Sequence, residues 1–77
     1  MADRDTPSPE FEDAWESRPG GGLYQLVLDG DVRAAIEVGR ETDLWWFVAY
    51  AEDGETYGRK RTLGAAKLSV WRALWQD

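Results

Sequence analysis

The sequence predicts an α+β domain: an antiparallel meander of three to four strands packed against one C-terminal helix, preceded by a short N-terminal helix or a disordered arm. Three observations carry that expectation. Apolar and polar positions alternate on either side of Asp29-Gly30, and such alternation around Asp-Gly is the strongest short-range hairpin signal. Residues 44–51, Leu-Trp-Trp-Phe-Val-Ala-Tyr-Ala, are apolar on both alternating sets, which marks a central strand with both faces covered or with one face offered to a partner. Beyond Thr62 the apolar residues recur at helical spacing. At 77 residues, 43% hydrophobic and 31% charged, the chain is one globular domain's worth of sequence.

The elements can be taken in chain order. Residues 1–22 read as an acidic arm ending in a glycine linker, and residues 23–77 as the single α+β domain. Residues 1–6 are polar and expected to fray. Ser8-Pro9-Glu10 is a helix start: the serine can cap, proline is tolerated at the first helical position, and an acid there suits the helix dipole. Phe11, Ala14 and Trp15 then share one face of a short helix that Arg18-Pro19-Gly20-Gly21-Gly22 ends. Such a helix is not stable alone, so it docks through Phe11 and Trp15 or waits for a partner.

Leu23 to Leu28 forms the first predicted strand, and Val32, Ala34, Ile36 and Val38 make the apolar set of the second. Residues 39–43 are a polar turn before the aromatic strand, where Trp45 and Trp46 must point to opposite faces. Glu52-Asp53-Gly54-Glu55 supplies a second Asp-Gly turn, and residues 56–61 return as a short edge strand whose Arg and Lys discourage pairing with neighbours. Thr62 caps the last helix. On it Leu63, Ala66, Val70, Ala73 and Leu74 fall within an arc of roughly 100°, the width of a core stripe. Leu68, Trp71 and Trp75 flank that stripe, opposite Ser69, Arg72 and Gln76. The apolar arc is wider than one sheet face requires, so either the N-terminal helix or another molecule covers the Trp71/Trp75 flank.

Composition narrows the chemistry. The chain has no cysteine and no histidine, which removes thiolate nucleophiles, disulfides, His-based triads and the usual zinc ligands. No metal, cofactor or small-molecule substrate is expected. Asp29/Asp31 and Glu52/Asp53/Glu55 sit in predicted tight turns and lack the spacing of a calcium loop. Gly20-Gly21-Gly22 leads into a strand, whereas a phosphate loop leads into a helix. No catalytic residues are assigned, and the chain is expected not to be an enzyme. No apolar run is long enough to span a membrane and the N-terminal residues do not resemble a signal peptide, so a cytoplasmic location is expected.

Five Trp in so small a chain can substitute for disulfides in closing the core, since aromatic side chains bury about 150–250 Å² each. They also make binding anchors. Charge is unevenly spread within the net −6: residues 1–19 carry −4, residues 20–55 carry −6, and residues 56–77 carry +4. The basic third contains Arg59, Lys60, Arg61, Lys67 and Arg72, a set able to grip phosphates.

Gly58, Thr62, Ala66 and Lys67 match in spacing the G-x-G-x-S-K-K-x-A-K junction of double-stranded-RNA-binding domains, and this part of the chain resembles that junction. Lys60 stands in place of the second glycine, and Leu63-Gly64 in place of the phosphate-gripping lysine pair. The strand-and-helix order is similar to AP2 and phage integrase arm-binding domains, a resemblance that implies groove reading by the sheet. In style, a very small acidic chain with Trp-rich strands is similar to short phage and prophage proteins of actinobacteria. That likeness implies a non-enzymatic protein that binds a macromolecule and alters its activity.

The expectation is therefore an interaction protein that modulates or inhibits a protein partner, with self-association as a variant. Its contacts would be Trp45, Trp46, Trp71 and Trp75, with Asp53 and Glu55 steering a basic partner. The alternative is nucleic-acid binding through Arg59, Lys60, Arg61, Lys67 and Arg72, which the net charge disfavours.

Overall fold

A computed structural model describes residues 6–75; the expectations for residues 1–5 and Gln76 lie outside that range. Two helices and five strands follow one another as α1 (Pro9–Asp13), β1 (Trp15–Ser17), β2 (Leu23–Leu28), β3 (Asp31–Val38), β4 (Trp45–Ala51), β5 (Gly54–Lys60) and α2 (Leu63–Trp75). The strands form one antiparallel sheet in the order β1-β2-β3-β4-β5, and the arrangement is α+β as expected. It holds five strands, not three to four.

The additional strand comes from the segment expected to continue the first helix. Ser8 caps α1 through its hydroxyl, which accepts from the Phe11 N–H at 3.3 Å, and Pro9 opens the helix. The helix stops at Asp13, because Trp15, Glu16 and Ser17 pair with Leu26, Gln25 and Tyr24 of β2. Three residues of ladder with β2 take the place of a further helical turn.

The two tight hairpins form where Asp-Gly marks them. Asp29 and Gly30 both take positive φ, 53° and 84°, the signature of the turn whose twist matches paired strands. At Glu52-Asp53 the strands close directly, with Ala51 opposite Gly54. Between Leu26 and Val27 the β2–β3 register shifts, so that Leu26 faces Ala34 and Val27 faces Val32. This irregularity corrects one expectation. Simple alternation puts Val32 with Ala34 and Ile36, but the shift moves it to the other side, where it is 42% exposed.

One face of the sheet is covered. Leu26, Ala34, Ile36, Phe47 and Ala49 from the strands meet Ala66 and Val70 of α2 and Phe11 of α1, and all are buried. Thr62 starts α2 by accepting from the Ala65 N–H at 3.1 Å. The Phe47 ring lies across Gly58, its opposite number on β5; a Cβ at Gly58 would stand 3.1 Å from two ring carbons. No helix among the described residues is long and apolar enough to cross a membrane.

Candidate functional site

Alternation along β4 divides its aromatic residues between two environments. Trp45, Phe47 and Ala49 turn toward the helices, and Trp45 packs against the core beside Tyr24, with ring centroids 6.0 Å apart. Trp46, Val48 and Tyr50 belong to the opposite set. Across β5 they face Arg59, Tyr57 and Glu55 respectively, and across β3 Trp46 and Val48 face Glu37 and Ala35. Residues opposite one another in an antiparallel ladder share a face, so these side chains make one surface.

Among the described residues no helix lies over that surface. Trp46 is 44% exposed, Tyr50 41% and Tyr57 71%, and Val32 adds to the same face through the register shift. A depression of about 200 Å³ lies between Leu23, Ala35, Glu37, Trp46 and Val48. The Arg59 guanidinium sits 5.3 Å from the Trp46 ring centroid and stacks one cation on the aromatic patch. Gly39 permits the close approach of Trp46: a Cβ there would lie 2.9 Å from the indole nitrogen.

The other two tryptophans of the expected contact set have a different setting. Phe11 of α1 lies edge-on against Trp71 and Trp75, with centroids 5.1 and 5.3 Å away, and against Trp15 at 5.7 Å. Trp71 and Trp75 stack at 4.7 Å and 16°. The N-terminal helix therefore covers much of this flank, and Trp75 keeps 42% of its surface exposed. Trp71 packs with the core. The Trp15 indole N–H is buried without an acceptor. Of the four tryptophans read as contacts, only Trp46 and Trp75 present large exposed surfaces, and they lie apart on different elements.

Asp53 and Glu55 are exposed: Glu55 lies opposite Tyr50 on the open face, whereas Asp53, in the β4–β5 turn, lines a groove on the other side. The basic residues do not gather. Arg59 lies over Trp46 on the open face, while its neighbour Lys60 lines a groove of about 760 Å³ on the other side with Arg33, Arg72, Glu52 and Asp53. Lys67, a residue of α2, reaches to the rings of Trp15 and Tyr24, 5.7 and 5.6 Å from its ammonium. The groove mixes both signs of charge, and among the described residues no group of three or more carboxylates is arranged to hold a metal ion.

Tyr50, Tyr57 and Val32 were not among the residues picked out from sequence as contacts. Parity from Trp46 leads to Tyr50, and the second hairpin turn then places Tyr57 beside Val48. Val32 had no such signal, since it reaches the face through a register shift. Compared with known proteins, the chain matches no family model, no curated sequence and no solved structure.

Proposed function

We propose that this chain is a small, non-enzymatic interaction protein that docks a protein partner on the open face of its sheet and thereby modulates or inhibits it. The observation that carries the reading is the gathering of Val32, Trp46, Tyr50 and Tyr57 on one uncovered face. Exposed aromatic clusters of this kind are favoured anchors for protein contacts. The partner surface that fits is apolar at its centre and basic around it, because Glu37 and Glu55 border the patch and the chain carries −6 overall. A non-enzymatic role also agrees with a sequence that has neither His nor Cys. The likeness in style to short phage proteins extends the reading to host take-over or anti-defence activity in the cytoplasm.

The test compares the wild-type chain with a Trp46→Ser/Tyr50→Ser variant as baits, each first shown to unfold cooperatively. A partner captured by the wild type is then purified and its affinity measured over a salt series. The reading expects affinity for the variant to fall by about thirtyfold or more, the scale of losing a central aromatic anchor. It also expects slower association at high salt. Equal affinity for both baits overturns it. So does a steeply salt-dependent shift of duplex DNA or RNA that Lys60→Glu/Lys67→Glu abolishes, which would transfer the function to the nucleic-acid alternative.

A further inference from the structure

The two edges of the sheet differ in length and in charge. β1 offers three residues, too few to template a partner strand, whereas β5 offers seven and, among the described residues, has a neighbour on one side only. The backbone groups of β5 that turn away from β4 are thus available for another ladder.

The sequence of β5 and its flanks is ordered about Tyr57. Two residues before it stands Glu55 and two after it Arg59; four before it stands Asp53 and four after it Arg61. Glu55 faces Tyr50 and Arg59 faces Trp46 on β4, so neither meets an opposite charge on its own ladder. Tyr57 is the most exposed of the large apolar side chains described, at 71%.

We propose that β5 pairs antiparallel with β5 of a second copy of this chain, about a two-fold axis through Tyr57. In that register each Glu55 lies opposite Arg59 of the other copy, Tyr57 lies opposite Tyr57, and the Asp53 and Arg61 that flank the strands come together at both ends. Cross-strand pairs of opposite charge and of aromatic rings are both favourable. A parallel arrangement in register would instead oppose Glu55 to Glu55 and Arg59 to Arg59. Shifting the antiparallel register by two residues puts Tyr57 opposite a charge. The basic residues that repel an arbitrary strand are therefore matched by this strand's own acids when it runs the other way.

Because the two-fold axis stands perpendicular to the sheet, both copies turn their open faces to the same side and both α2 helices to the other. The result is one continuous sheet twice as wide, with the two Trp46/Tyr57 surfaces joined at its centre. An isologous contact of this kind closes on itself and leaves a β1 edge at each end. The inference stands on the β5 edge and does not depend on what docks on the open face.

Sedimentation equilibrium over a concentration series reaching about 1 mM, the weak limit of specific association, should show a monomer–dimer equilibrium for the wild type. Glu55→Arg alone and Arg59→Glu alone should each raise the dissociation constant about tenfold or more by opposing like charges. The double variant E55R/R59E should regain the dimer, and an equimolar mixture of the two single variants should form a heterodimer. Tyr57→Cys, placed on the axis of a chain without other thiols, should cross-link rapidly under mild oxidation, whereas Thr56→Cys, on the helix-side face, should not. A wild type that stays monomeric throughout, single variants that dimerise as well as wild type, or failure of both the double variant and the mixture to associate would overturn the proposal.

Discussion

The two faces of the sheet are built from the same strands by alternate residues, yet they differ in almost every physical respect. On the helix side, Leu26, Ala34, Ile36 and Ala49 have no exposed surface and Phe47 retains 8%. On the open side, Trp46 and Tyr50, each one residue from a core position on β4, keep more than two-fifths of theirs. Trp45 and Trp46 are chemically identical neighbours, so residue type cannot account for the difference. One main helix covers one face, and the short α1 adds its cover at the end of α2, around Phe11, rather than on the open side. Apolar surface left over in this way is what the proposed docking rests on.

Truncations should separate the faces sharply. Phe11→Ala removes a side chain 1% exposed that touches three tryptophans, and should cost about 3–5 kcal/mol in urea unfolding, a large share of what a domain this size possesses. The same experiment would establish that α1 belongs to the folded unit, since an undocked arm would tolerate the change. Gly58→Val should cost about 1–3 kcal/mol, because its Cβ would press on the Phe47 ring, and the lost packing should be visible in near-UV circular dichroism. Trp46→Ser, on the open face, should alter unfolding free energy by only about 1 kcal/mol while removing partner binding. A cost for Trp46→Ser that matches the Phe11→Ala value would erase the contrast between the faces.

Much of the fold was legible because local chemistry decides it. Asp29-Gly30 can supply two positive φ values where most residue pairs cannot, and Ser8-Pro9 and Thr62 mark helix starts through their own hydroxyls and ring. The helical spacing from Leu63 to Leu74 correctly picked Ala66 and Val70 for the core. What escaped was non-local. Trp15-Glu16-Ser17 suits a helix by spacing and becomes a strand because β2 offers it a ladder. Val32 sits in a regular apolar alternation and leaves the core because the register shifts at Leu26/Val27.

The candidate surface shows the same division. That Trp45 and Trp46 point opposite ways follows from the period of a strand and is written in the sequence. Which of them enters the core is not, since both alternating sets of β4 are apolar and each could face the helix. The pairing of Phe47 with Gly58 and the packing of α2 make that choice, by offering a ring-sized gap on one side only. The dispersal of Arg59, Lys60 and Lys67 was likewise invisible in a charge count, because Arg59 and Lys60, neighbours along a strand, part to opposite faces once the sheet forms, and Lys67 lies on α2 against the Trp15 and Tyr24 rings. By itself, then, the sequence determined the turns, the caps, the helix stripe and the charge order around Tyr57, all settled within a few residues. Only the tertiary structure decided the fifth strand, the buried member of the Trp pair and the open face, because these depend on which distant segment arrives to cover a surface.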